Sequence, residues 1–179
     1  MGRKKSIENL LLLAETGDIN AQYELGVRYR GGDGVKIDVN KRFYWFEKAA
    51  TGGHTEAKLA FGMCYYHGKG TEVDLEKAFY WFNEAATDGL ALAQLIVASF
   101  YETGKVGPKD LEKAFYWIMQ AANQNHKYAL YRIGVMYMEG KGVQKDLEKA
   151  IHYLEMSADL GDLYAIDALA ECRKLMGEN

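Results

Sequence analysis

The chain has 179 residues, of which 49% are hydrophobic and 26% charged, with a formal net charge of -3. That length allows a sizeable core. The charge balance excludes the one-sided excess of Lys and Arg that a phosphate-binding surface needs, so nucleic acid is not an expected partner. No apolar run is long enough to span a membrane, so no membrane insertion is expected either.

The first predicted element is a helix over 6–16. The segment MGRKKSIENLLLLAETGD has a basic start and four leucines, but Glu8 and Asn9 interrupt it, and its apolar run is too short for a signal-peptide core. This favours a cytoplasmic protein; removal of a signal peptide would instead make it secreted or periplasmic.

From residue 18 the sequence repeats every 36 residues. Ala21, Ala57, Ala93, Ala129 and Ala165 share one column with no insertion or deletion, and DLEKAFYW returns unchanged at 74–81 and 110–117. A fixed period of this size marks a stacked array in which units share one continuous core. The predicted architecture is therefore all-α, a single solenoid domain over 1–179. It has an N-terminal cap helix at 6–16, helix-turn-helix repeats at 18–53, 54–89, 90–125 and 126–161, and a C-terminal cap helix at 162–176.

Within each repeat, helix A begins after Gly17, Gly53, Gly89, Asn125 or Gly161. It carries Ala57, Phe61, Gly62 and Tyr65 at offsets 0, 4, 5 and 8, which is one helical face. Helix B begins at Asp38, Asp74, Asp110 or Asp146, where a carboxylate can accept from the first-turn amides. The predicted core stripe of helix B is Ala78, Phe79, Trp81, Phe82, Ala85 and Ala86, and its Glu and Lys are placed on the solvated side.

Glycine pairs lie between the helices at Gly32 and Gly34, Gly68 and Gly70, and Gly140 and Gly142. The third repeat departs from this with Gly104, Val106, Gly107 and Pro108, which predicts a different loop path. Gly26, Gly62 and Gly134 share a column with Ala98 and Ala170, so that position requires a small residue, as expected where two helices cross closely.

At the ends, Ile7, Leu10, Leu13 and Ala14 fall in the columns of Phe43, Phe46, Ala49 and Ala50, making the first helix a lone helix B. The segment 162–176 is a lone helix A in which Arg173 replaces the tyrosine of Tyr29, Tyr65, Tyr101 and Tyr137. Leu11 and Leu12 stand where Glu47 and Lys48 stand one repeat later. They suggest either a homotypic contact through the N-terminal cap or the cut end of a longer array.

Ala-x-x-x-Leu-Gly-x-x-Tyr, the glycine turn, Asp-x-x-Lys-Ala and Trp-x-x-x-Ala-Ala together resemble the Sel-one-like repeat family, related to the tetratricopeptide repeats. The resemblance covers about residues 6–176. It implies a right-handed α/α superhelical solenoid of 36-residue helix-turn-helix repeats that acts as a scaffold or adaptor, with the A helices lining a concave face. Some relatives carry a disulfide within each repeat, and some are described as penicillin-binding or β-lactamase-like. This chain lacks the repeated cysteine pairs. Cys64 and Cys172 fall in one column three repeats apart, roughly 25–30 Å at the usual helix spacing, too far for a disulfide.

The side of helix A opposite its core columns lies at offsets -1, 2, 6 and 9, at about 180–260° on the helical wheel. Its candidate partner-binding residues are Tyr23, Val27 and Arg30; Leu59, Met63 and Tyr66; Leu92 and Leu95; and Tyr128, Tyr131, Val135 and Met138. Polar members of the same columns include Asn20, Glu56, Ser99 and Glu102. So much Tyr, Leu, Met and Val on a nominally solvated side points to a surface for a protein or peptide ligand. The competing reading is that curvature buries these side chains against neighbouring A helices.

His54, His67, His126 and His152 are too scattered along the array to converge on zinc, and no metal or other cofactor is expected. Ser6, Ser99 and Ser157 lack the lysine three residues on that a penicillin-type site requires. Cys64, placed at the edge between core and A face with His67 three residues later, is the weak candidate for a hydrolase. The favoured function is a non-enzymatic protein-interaction module; a self-associating structural element is the alternative, and a hydrolase is less favoured again.

Overall fold

The helix boundaries follow from a few repeated side chains. The computed structural model describes residues 6–177, which form ten α-helices and, among the described residues, no strand. The chain divides into two compact units, Met1–Asp88 and Gly89–Asn179.

The first unit holds α1 (Ile7–Glu15), α2 (Ile19–Gly31), α3 (Val39–Thr51), α4 (Thr55–His67) and α5 (Leu75–Thr87). The second holds α6 (Ala91–Thr103), α7 (Leu111–Ala122), α8 (Lys127–Glu139), α9 (Leu147–Asp159) and α10 (Leu163–Met176). Inside each unit every helix packs on its neighbours in the chain, and α10 also touches α8.

Helix A ends the same way in each repeat. Gly32, Gly68, Gly104 and Gly140 take left-handed φ between 64° and 74°, and their N–H groups return to the carbonyls of Arg28, Cys64, Phe100 and Met136. A residue with a Cβ is strained in that conformation. Downstream, Gly34, Gly70 and Gly142 are also left-handed, but the third repeat has Val106 in this column and moves its positive φ to Gly107. The detour is local, because the Asp110 N–H still donates to Tyr101 O at 3.0 Å, just as Asp74 donates to Tyr65 O at 3.0 Å and Asp146 to Tyr137 O at 3.0 Å.

Helix B starts where expected. The carboxylates of Asp74, Asp110 and Asp146 accept from the N–H of Lys77, Lys113 and Lys149 at 2.9, 2.9 and 3.0 Å. Asp38 accepts from Asn40 and Lys41. Each of these lysines lies on the solvated side, as expected, and is exposed, yet its ammonium folds back toward the start of its own helix. The Nζ atoms of Lys77, Lys113 and Lys149 lie 2.9, 3.1 and 3.0 Å from the Asp that caps their own helix. They also stand over the rings of Tyr65, Tyr101 and Tyr137 at 5.4 Å. The helix-A tyrosine therefore takes the Asp N–H on its carbonyl and the Lys ammonium on its ring, tying the two helices of a repeat together.

The glycine column marks the crossing of A and B. A methyl group on Gly62 would lie 2.7 Å from Phe82 Cε1 and 3.2 Å from Ala78 O, and one on Gly134 would lie 2.6 Å from Leu154 Cγ. Gly26 meets Phe46 in the same way. Of the predicted helix-B stripe, Ala78, Phe82, Ala85 and Ala86 are buried, while Phe79 and Trp81 are half-buried.

In the first unit, one cluster joins Leu10, Ala14, Ala21, Leu25, Tyr29 and Trp45, and another joins Phe46, Ala49, Ala50, Ala57, Phe61 and Cys64. In the second unit a continuous cluster surrounds Ile118, Leu130, Ile133 and Leu154. The lone helix B at the start and the lone helix A at the end are both formed, capped by Ser6 and Asp162.

Candidate functional site

The side chains at offsets -1, 2, 6 and 9 of the A helices divide into three environments. In the first unit Tyr23, Val27, Leu59, Met63 and Tyr66 are half-buried and Arg30 is exposed. Tyr23 stacks on His54 at a centroid distance of 4.3 Å and lies 5.9 Å from Phe46. Tyr66 sits 6.3 Å from Phe82. In the second unit Leu92 and Tyr128 are exposed, and Tyr131 and Val135 are half-buried.

Leu95 and Met138, by contrast, are each only 8% exposed and belong to the core cluster of their unit. They are packing residues, which corrects their assignment to a binding surface. The geometry gives the reason. A side chain at offset 2 leans sideways toward the next A helix: Tyr131 meets Tyr164 at 6.3 Å and Tyr23 meets His54. Such columns lie at the seam between A helices, so the competing packing reading holds for part of this side.

What remains open in the second unit is a row of rings. Tyr128 lies 6.3 Å from Tyr131, which lies 6.3 Å from Tyr164. The Arg132 guanidinium stands 5.5 Å over the Tyr128 ring, donates to its hydroxyl at 3.4 Å, and pairs with Glu102. Tyr164 is 74% exposed. It lies in the column of Asn20, Glu56, Leu92 and Tyr128, on the helix that the sequence marks as the C-terminal cap, and is not among the residues expected to bind. Continuing the offset -1 column one repeat further finds it.

Local sequence at residues 19–54, 56–90, 91–126 and 127–162 matches the Sel1 repeat. The chain belongs to the Sel1 repeat family.

Solved structures of other Sel1-type proteins are similar to it. A protective antigen of uropathogenic Escherichia coli with an SLR fold is 32% identical, with a TM-score of 0.84 over 90% of this chain. This chain spans 35% of that protein's chain. A Sel1 repeat protein from Oxalobacter formigenes is 29% identical, with a TM-score of 0.89, covering 97% of this chain and 72% of its own. Cysteine rich protein B of Helicobacter pylori is 28% identical with a TM-score of 0.57, covering 76% of this chain and 98% of its own. No functionally curated protein sequence matches the chain. The Sel1 repeat fold, a solenoid of helical repeats, generally mediates protein–protein interactions.

The other candidates of this Sel1 repeat chain sit as follows. Cys64 and Cys172 are buried, and neither is in a disulfide. Their whole column, Arg28, Cys64, Phe100, Met136 and Cys172, is buried in every A helix, which corrects the placing of Cys64 at an edge. Burial pushes the Cys64 thiol above its ordinary pKa, against the opposing effect of Arg42, and so disfavours the thiolate a nucleophile would need. His67 is exposed. His54 Nδ1 accepts from the Ala57 N–H at 3.3 Å, serving as a helix cap in place of the Asp18 of the preceding repeat. Among the described residues, no group of three His, Cys, Asp or Glu side chains gathers to hold a metal ion. None of the described helices is long and apolar enough to cross a membrane.

Proposed function

We propose that this Sel1 repeat chain is a protein-interaction module that takes a peptide or protein partner on the A-helix faces of its units. The observation that carries the reading is the ring row of exposed Tyr128 and Tyr164 with half-buried Tyr131 between them, flanked by the paired Arg132. Tyrosine offers a large contact area at little cost in side-chain freedom, and its hydroxyl reaches the main chain of an extended ligand. In the first unit the corresponding surface is Tyr23, Val27, Arg30, Leu59, Met63 and Tyr66. Leu92 and Val135 extend the second.

The experiment is selection of binders from a displayed peptide library by the wild type. Selected peptides are then measured by fluorescence polarisation against Tyr131→Ala/Tyr164→Ala and against Leu59→Asp, with circular dichroism confirming unchanged helicity. Removing two aromatic anchors weakens binding at least 10-fold, the effect of about 1.4 kcal/mol. Full-strength binding to all folded variants would move the site away from the A faces.

A further inference from the structure

Each repeat closes on itself at one recurring contact, where the first turn of helix A meets the last turn of helix B. Ile19 packs on Gly52, where a methyl group would lie 2.6 Å from Ile19 Cγ2. Thr55 Oγ1 and Lys58 Nζ both donate to Asp88, at 2.9 and 2.7 Å, and Lys58 reaches Glu84 at 3.8 Å. Gln124 Nε2 donates to Gln94 Oε1 at 3.0 Å, and Ser157 Oγ to Lys127 O at 2.9 Å. All four contacts use the same columns, those of Thr55 and Lys58 on helix A and of Glu84, Ala85 and Asp88 on helix B.

Two helices of this structure carry those columns without a partner of that kind. α10 is a helix A, and in the columns of Thr55 and Lys58 it presents Leu163, 75% exposed, and Ile166, 50% exposed. α1 is a helix B, and in the column of Glu84 it presents Leu12, 63% exposed. The Leu12 column otherwise holds Lys48, Glu84, Gln120 and Met156; the Ile166 column holds Gln22, Lys58, Gln94 and Leu130. Thus the two helices that lack the contact both carry branched apolar side chains at the positions that make it.

We propose that α10 of one copy takes α1 of a second copy as its helix B, so that copies of this chain join head to tail. The internal repeats supply the template for the joint, and the chain itself supplies both halves. Leu12 of one copy packs against Ile166 of the next in the place of the Lys58–Glu84 contact, and Thr16, in the Asp88 column, meets Leu163 in the place of Thr55–Asp88. An interface made of two different patches leaves a free end on each side, so assembly continues past two copies unless it closes into a ring.

The test uses light scattering on the full chain across a 100-fold range of concentration. The wild-type mass should rise with concentration above that of one chain. Leu12→Glu and Ile166→Glu, each at an exposed site and each checked for unchanged helicity, should stay monomeric alone. Mixed in equal amounts they should give a species of two chains and nothing larger, because only one intact joint can form between them. A wild type that stays monomeric throughout overturns the proposal, as it would if a further repeat or another protein covers α10. Dimers of Ile166→Glu alone also overturn it, by showing contact between α1 helices. So does a mixture that stays monomeric while the wild type associates. Leu163→Glu provides a second α10 variant if Ile166→Glu loses helicity.

Discussion

At the scale of the residue, the size of one side chain is matched to the absence of another. Gly62 accepts Phe82 only because it has no Cβ, and the third repeat carries Ala98 with Ile118 in the same two columns. Gly62→Ala should therefore destabilise the chain by about 1–3 kcal/mol through overpacking. Adding Phe82→Ile should restore part of the loss, because the double variant recreates the Ala98–Ile118 pair. Urea unfolding of the single and double variants measures the coupling between the two sites, and simple additivity would show that the two columns do not share a contact. The need for smallness was legible from the sequence because glycine and alanine alternate in one column while the period stays fixed. The burial of Leu95 and Met138 was not. A helical wheel gives the direction of a side chain from its own axis, but not the distance to the next A helix.

At the scale of the element, the joint between helices A and B is electrostatic as well as apolar. The carboxyls of Asp74, Asp110 and Asp146 are held below the ordinary carboxylate range, first by the backbone N–H of Lys77, Lys113 and Lys149 and then by their ammonium groups. The lysines are correspondingly shifted upward by the Asp side chains. A lowered carboxyl pKa means that the contribution to stability is complete above the unfolded value of about 4 and is lost as pH falls through the folded value. A raised lysine pKa means that its contribution is complete below about 10.4 and lost as pH rises through the folded value. Asp110→Asn should thus lower Tm across the neutral range, with the gap to wild type narrowing below about pH 4 and again above about pH 10. A gap that stays constant from pH 7 to pH 2 would remove the carboxylate from this role. The sequence displayed the Asp at the helix start, but the lysine's second partner, the helix-A tyrosine nine residues before the Asp, was not evident. That contact depends on how the loop brings the two helices together.

At the scale of the whole molecule, stability in a repeat array is a sum of unit terms and nearest-neighbour terms, and end helices have fewer neighbours. α1 packs on α2, whereas α3 packs on both α2 and α4. Amide hydrogen exchange should show α1 losing protection before α2–α4 in the first unit, and α10 losing it before α8 in the second. Uniform protection along either unit would mean that it opens only as a whole. The architecture could be read from the sequence because one constant period carries caps, glycine turns and core stripe together. The ring row at Tyr164 could be read only by treating the last helix as a full member of the array. The matched pairs at the A–B crossing also constrain how such a gene can be rearranged. A crossover inside the A–B loop would join Ala98 to a Phe82-type partner and clash, or Gly62 to an Ile118-type partner and leave a void. A crossover between a helix B and the next helix A keeps each pair intact, so whole A–B cassettes are the units in which this chain can gain, lose or exchange length without a repacking penalty at the crossing.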